Sequence, residues 1–105
     1  MELIKFKKLG IEVDFEQNQN EKKFDEIIIP KGWRMLRLCE LEEVMNYIVE
    51  HKLDIGSYFE QPINQFKRKY VARFWAISVG AGLYCYGDPG NSDSSLGVIF
   101  CRDIK

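Results

Sequence analysis

The chain has one apolar stripe of helical spacing, with short stretches of strand-like pattern on both sides of it. The stripe consists of Leu38, Leu41, Met45, Ile48 and Val49, at i, i+3, i+7, i+10 and i+11, and Lys52 at i+14 lies at its end. Three glutamates crowd the first turns, where the helix dipole favours anions, and His51 suits the last turn. The pattern predicts a single main helix over 38–52 whose apolar face packs on a core.

Strand patterns precede this helix. Leu3–Phe6 and Ile11–Phe15 alternate with period two around a turn at Lys8–Gly10, which predicts a β-hairpin. The polar stretch 16–26 is interpreted as a loop. The β-branched run Ile27–Ile29, stopped by Pro30, predicts a short strand or the inner end of one.

Three more strands are predicted after the helix and after an irregular stretch over 54–65. They cover Val71–Val79, Leu83–Tyr86 and Gly97–Arg102, separated by glycine-rich turns. Their close spacing is typical of an antiparallel meander, which we expect the N-terminal hairpin to join. The fold class predicted is therefore α+β, with a twisted antiparallel sheet packed on one main helix.

Length and composition limit the protein to one domain with an ordinary globular core. The 105 residues are 46% hydrophobic and 30% charged, and 15 basic against 16 acidic residues leave a net charge of -1. This balance excludes a strongly cationic coat for nucleic acid, although not a local basic patch.

The chain has no apolar run of about 18 residues, the length that a membrane-spanning helix needs. Since its N-terminus also lacks a signal-peptide pattern, we expect a cytoplasmic location.

Three cysteines, Cys39, Cys85 and Cys101, cannot all pair within one chain. The favoured interpretation is free, mostly buried thiols in a reducing compartment. A Cys85–Cys101 disulfide requires their strands to lie side by side.

Four short blocks occur in the order of a known bacterial family. Gly32-Trp33-Arg34-Met35 followed by Glu40-Leu41 is similar to a "GWRLPTxxEL" signature, and Phe74–Ser78 is similar to a "YWSSS" strand. Leu83–Gly90 resembles an "AxYVxFxNG" turn, and Val98–Asp103 resembles a "VRCVRD" ending. On these blocks, the region 32–103 resembles the DUF1566 and Fibrobacter-succinogenes major-paralogue domains, with residues 1–31 as an added hairpin and loop.

This resemblance implies a small C-type lectin-like fold, in which helices pack on a twisted antiparallel sheet and loops on one side bind partners. The fold does not by itself imply a function. One departure concerns the start of the helix, where the family has Pro-Thr and this chain has Leu36-Arg37. The threonine would cap the helix, and such a cap is worth about 1 kcal/mol.

The sequence offers no catalytic constellation. Its one histidine, His51, is interpreted as a surface residue at the helix end, and no HxH or HExxH spacing occurs. The loop 87–95 could offer calcium oxygens from Asp88, Asn91 and Asp93, but Asp-Pro-Gly-Asn is equally a plain turn. We therefore expect no enzyme activity, no cofactor and no metal, and we do not expect calcium or sugar as ligands.

The preferred function is binding of another protein through the loops around residues 56–70 and 87–96. Aromatic and turn residues in and beside these loops are the candidate contacts, since aromatics are enriched at binding hot spots. They are Tyr58, Phe59, Tyr70, Tyr84, Tyr86, Asp88 and Asn91. Whether Tyr84 and Tyr86 or Leu83 and Cys85 face the core stays open. The small size suggests an inhibitor from a phage or mobile element, such as an anti-CRISPR or other anti-defence protein.

The alternative function is nucleic-acid binding through a basic, aromatic stretch. Lys67, Arg68, Lys69 and Arg73 carry a local charge of +4 between Phe66 and Trp75. Cations can hold phosphates while interleaved aromatics stack on bases. A membrane partner is not expected.

Overall fold

A computed structural model describes residues 3–60, 71–87 and 95–104 of the chain. Within them, seven strands form one mixed sheet and a single α-helix packs on it. The strands are β1 (Leu3–Phe6), β2 (Ile11–Asn18), β3 (Arg34–Met35), β4 (Ile55–Tyr58), β5 (Val71–Ile77), β6 (Gly80–Gly87) and β7 (Leu96–Asp103). Single 3-10 turns cover Phe24–Glu26 and Leu38–Glu40, and the latter leads directly into helix α1 (Leu41–Glu50). The α+β class is therefore confirmed.

The predicted hairpin is confirmed, and it joins the C-terminal strand as expected. β1 and β2 pair antiparallel from Leu3↔Asp14 to Phe6↔Ile11, and β2 then pairs antiparallel with β7. β2 continues to Asn18, into residues predicted as a loop. These polar residues belong to the strand because Asn18 aligns with Val98 of β7, beyond an irregularity after Asp14.

The predicted meander of three C-terminal strands is wrong in its last step. The strand order is β1-β2-β7-β4-β5-β6, with β3 also paired to β7. β5 and β6 form the expected antiparallel pair, but β4 lies between β5 and β7 and runs parallel to β7. The segment of β4 was predicted as irregular because of Gly56. It forms a strand because the two neighbouring strands supply its hydrogen bonds.

The helix begins later and ends earlier than the range 38–52 predicted from its apolar stripe. Leu38 lies in the 3-10 turn and is exposed, whereas Leu41, Val44 and Ile48 are buried against the sheet. The Glu40 carboxylate accepts the backbone N–H of Arg37 at 2.8 Å. Glu40 thereby supplies a cap at the position where the resembled family has a threonine.

Both faces of the sheet are covered by apolar side chains, but in different ways. On one face, α1 packs over Ile11, Val13, Phe74 and Ile99. On the other face, Phe24, Ile27 and Trp33 cover a second cluster, which contains Met35, Tyr58, Val71, Leu96, Val98 and Phe100.

The segment that carries Ile27–Ile29 forms no strand, so that prediction is wrong. The side-chain amide of Gln19 takes the place of a neighbouring strand: it accepts the N–H of Ile28 at 2.8 Å and donates to its carbonyl at 2.7 Å. Ile27 packs on the second cluster, while Ile28 and Ile29 are exposed.

In the part of the chain that the structure describes, no helix has the length and apolar character needed to cross a membrane.

Candidate protein-binding surface

The second face of the sheet is left open where it reaches β5 and β6. Side chains that share a face alternate along a strand, and paired residues of neighbouring strands share it too. Arg73, Trp75 and Ile77 therefore lie beside one another on this face, with Tyr84 opposite Arg73. We call these four residues the aromatic face. Trp75 is 44% exposed and Tyr84 is 46% exposed, which is unusual for side chains of this size in a sheet.

Trp75 lies between two glycines. It pairs with Gly56 of β4 on one side and with Gly82 of β6 on the other. A Cβ atom at Gly82 would lie 2.8 Å from Cζ2 of the indole and 3.1 Å from its Nε1. The indole therefore rests directly on the backbone of β6, and only a glycine permits this arrangement. A small groove of about 140 Å³ beside the indole is lined in part by Gly56, Ser95 and Leu96.

Arg73 holds the other end of the aromatic face. Its guanidinium lies 5.2 Å from the centre of the Tyr84 ring, within cation–π distance. The stack fixes both side chains and leaves a positive charge beside two exposed aromatic rings. This combination can receive an apolar side chain together with a carboxylate.

Two predicted contact residues are not on the surface. Tyr58 is 4% exposed, and its ring packs edge-on against Phe24 while its hydroxyl donates to the carbonyl of Lys22. Phe59 is fully buried near Phe74. The expectation that they belong to a binding loop is wrong, because Tyr58 at the end of β4 packs in the second cluster and Phe59, directly after β4, packs in the cluster under α1.

Of the other predicted residues, Tyr84 is on the surface, as its role would require. Arg73 is half-buried on the same face, and the exposed Trp75 beside it is not among the candidate contacts predicted from the sequence. A sequence signal for Trp75 existed: Phe74 is its neighbour in a strand, so the two must face opposite sides. The remaining predictions lie outside the described residues, namely Tyr70, Asp88, Asn91, Lys67, Arg68, Lys69 and the side chain of Tyr86.

The two predicted binding loops start from the same end of the sheet. Val71, which follows one loop, pairs with Gly87, which precedes the other. Tyr58, just before the first loop, pairs with Arg73. The ends of β4, β5 and β6 that flank the loops therefore lie next to the Arg73–Tyr84 end of the aromatic face, whereas Leu96 of β7 pairs with Gly56, opposite Trp75.

A polar cluster beside β7 joins three parts of the chain. Arg34 donates two parallel hydrogen bonds to Glu40, at 2.9 and 2.8 Å, and a third to Asp103 at 3.0 Å. These hydrogen bonds raise the pKa of Arg34. Burial alone would raise the pKa of Glu40, but hydrogen bonds from Arg34 and the Arg37 backbone and the charges of both arginines outweigh it and lower this pKa. Both groups are therefore charged at neutral pH, and we interpret their ion pair as one that stabilises the fold.

A shallow groove of about 600 Å³ lies near this cluster, and the ion-paired Glu12, Arg102 and Asp103 form part of its lining. In it, Arg102 forms an ion pair with Glu12 and stacks over Trp33, with 4.5 Å from its guanidinium to the ring centre. Because three of the four described charged side chains in its lining are held in ion pairs, the groove offers less to a partner than the aromatic face does.

The described cysteines do not form a reactive site. Cys101 is buried on β7, and its burial raises its pKa to about 12, so the thiol stays protonated. β4 and β5 separate β7 from β6, which excludes the side-by-side strands that a Cys85–Cys101 disulfide would need. Cys39 is free, as expected, and it is exposed, whereas the expectation was of mostly buried thiols.

The histidine has the place that the sequence predicts. His51 is exposed at the end of α1, stacks on Tyr47 with 3.8 Å between ring centres, and has its Nδ1 2.9 Å from the Tyr47 carbonyl oxygen. Among the described residues, no three histidine, cysteine, aspartate or glutamate side chains come together as a metal site would require.

Comparison of the chain with protein-family models, with curated proteins and with solved structures finds no match. The aromatic face is therefore assigned from its own geometry.

Proposed function

We propose that this chain is a non-enzymatic protein-binding module, and that the aromatic face is the centre of its binding surface. The observation that carries the proposal is the Trp75 indole resting on Gly82 with nearly half of its surface exposed. An exposed tryptophan adds nothing to the core. Tryptophan, tyrosine and arginine are the residues that most often dominate binding energy, and this face has one of each.

The packing of these side chains favours tight binding. Gly82 supports the indole from below, and the cation–π contact orders Arg73 and Tyr84 before any partner arrives. A side chain that is already ordered loses less conformational entropy on binding. The expected partner presents an apolar side chain toward Trp75 and a carboxylate toward Arg73.

We further propose the C-type lectin-like fold for the region 32–103. Its support is that the first and last of the resembled blocks meet in space: within the first block Arg34 contacts Glu40, and Arg34 also contacts Asp103 of the last block. Trp33 and Arg102, from the first and last blocks, stack. In such a fold, loops that leave one end of the sheet enlarge the binding surface. A cytoplasmic inhibitor of a host defence system is the specific role that we propose to test first.

The test is a tagged pull-down from host lysate at about 150 mM salt, near physiological ionic strength, with and without nuclease. The wild type is compared with Trp75→Ala and with Ile28→Ala, which removes an exposed apolar side chain that is not part of the aromatic face. We expect one stoichiometric protein that withstands nuclease, is lost with Trp75→Ala and is retained with Ile28→Ala. A partner that Trp75→Ala retains would place binding elsewhere on the molecule.

A second candidate function follows from the position of Arg73. A cation next to two exposed aromatic rings is also what single-stranded nucleic acid binds. On this alternative, recovery from the lysate disappears with nuclease, and affinity falls steeply with salt. Neutralising Lys67, Arg68, Lys69 and Arg73 together would then abolish binding.

A further inference from the structure

We propose that a second copy of this chain pairs along the β6 edge, so that two sheets join into one across a twofold axis. The inference goes beyond the proposed function, since the partner here is the chain itself. In the described part of the sheet, β6 is the terminal strand and pairs with β5 on one side only. A terminal strand offers a row of backbone N–H and C=O groups to another strand.

The two edges of the sheet differ in how they are protected. β1 is four residues long and contains Lys5, with Lys7 and Lys8 directly after it. Short length and lysines are the usual means of preventing edge pairing, because like charges would meet. β6 is eight residues long, and the segment 80–87 has no charged residue and no proline. Self-pairing at β6 brings no like charges of the two strands together.

Apolar side chains are exposed on both faces of β6. Tyr84 belongs to the aromatic face, whereas Leu83 points to the opposite face and is 45% exposed. A globular partner docked on the aromatic face would cover Tyr84 but not Leu83. An added strand lies in the plane of the sheet and covers side chains on both faces, which is what this edge requires.

The side chains of β6 also suit pairing with themselves. The regular part of the β5–β6 ladder spans Gly80–Tyr84, before the irregularity opposite Ala72. If the twofold axis passes beside Gly82, Tyr84 of one copy lies opposite Gly80 of the other, and Leu83 lies opposite Ala81. Each large side chain then has a small one across from it, as close packing of paired strands favours.

Such a dimer keeps the aromatic faces together. A twofold axis perpendicular to the sheet leaves the same face of both copies on the same side. The two Trp75 side chains, each beside its own Gly82, then approach the axis and form one surface of double size. The dimer would then present two aromatic faces side by side, and a partner with two matching sites would bind with higher avidity without any new kind of contact.

The test is sedimentation equilibrium of the purified full chain over a range of concentrations, with no partner present. We expect a species of twice the chain mass that dissociates on dilution. For Leu83→Lys we expect the dimer dissociation constant to rise about tenfold or more, because each lysine loses water at the strand pair. The matched control is Ile28→Lys, which adds the same charge at an exposed position outside β5 and β6 and should leave the dimer unchanged.

Circular dichroism establishes that each variant is folded. If Leu83→Lys does not fold, Ala81→Lys replaces it, since Ala81 is exposed on the same strand. A wild type that stays monomeric throughout, or a folded edge variant that dimerises as well as the wild type, would overturn the inference. A dimer without a foreign partner in the pull-down would count against the proposed function only, and a foreign partner bound by a monomer would count against the dimer only.

Discussion

The indole of Trp75 rests on the backbone of Gly82 so closely that a methyl group at position 82 would lie within 3.1 Å of three atoms of the ring. The pair lies across two adjacent strands, and it turns a large apolar side chain outward on a sheet whose opposite face is packed by α1. The pair links the sequence of β6, with glycines at positions 80 and 82, to the surface that we propose for binding.

Replacing Gly82 by alanine should move the indole and weaken partner binding. The added methyl overlaps the ring, and overpacking of this kind costs about 1–3 kcal/mol when the side chain cannot move away. Because Trp75 is half exposed, we expect it to rotate outward, with a small loss of stability and a large loss of binding. Fluorescence of Trp75 in a Trp33→Phe background would report the movement. An unchanged emission spectrum together with unchanged binding would contradict this account.

Phe59 and Tyr84 should separate stability from binding. Phe59→Ala should lower the free energy of unfolding by about 3–5 kcal/mol, because Phe59 is fully buried in the core. Tyr84→Ala should lower it by about 0.5 kcal/mol or less, since the side chain is at the surface, while it weakens partner binding. Urea unfolding and the pull-down measure the two effects. Equal stability losses in both variants would mean that Tyr84 has a structural role.

Removing the partner of Glu40 should be costly. Arg34→Ala removes two of the three hydrogen bonds that the buried Glu40 carboxylate accepts, and breaking a buried ion pair costs about 3–5 kcal/mol. Arg37→Ala is the matched control: its ion pair with Glu60 is exposed, and its backbone N–H still reaches Glu40. The control should change the free energy of unfolding by about 0.5 kcal/mol or less. Urea unfolding at pH 7 distinguishes the two variants.

The same ion pair should make stability depend on pH. The pKa of Glu40 in the folded protein lies below its ordinary value of 4.5, so the unfolded chain binds this proton more readily. The stabilisation is complete above pH 4.5 and is lost as the pH falls through the folded-state pKa. The difference in free energy of unfolding between wild type and Glu40→Gln should therefore shrink below pH 4.5. A difference that stays constant from pH 7 to pH 3 would show that the charge of Glu40 is unimportant.

Cys101 should resist alkylation in the folded protein. Its pKa of about 12 leaves almost no thiolate at pH 8, and its side chain is buried. Cys39 is exposed and should react with iodoacetamide first. Mass spectrometry of peptides after a timed reaction gives the order, and urea should remove the difference. Early labelling of Cys101 without urea would show that β7 opens readily.

Which side chains are exposed was harder to predict than where the helix and most strands lie. Tyr58 and Phe59 follow a glycine in a stretch without clear periodicity, and nothing local indicates that β4 exists. Strand alternation did separate Tyr84 from Leu83, but it could not decide which of them faces the core. Both are exposed, because β6 is an edge strand and α1 leaves Leu83 uncovered.

The amino-acid sequence by itself determined the hairpin β1–β2, the position of α1 and the β5–β6 pair. These elements depend on local periodicity and on turns between residues that are close in the chain. Only the tertiary structure decided that β4 enters the sheet between β7 and β5, that Tyr58 and Phe59 are buried, and that Trp75 is not. The pairing of β4 with β7 joins residues 40 positions apart, and β2 pairs with β7 across still longer separations, so no local pattern records the free energy of these contacts.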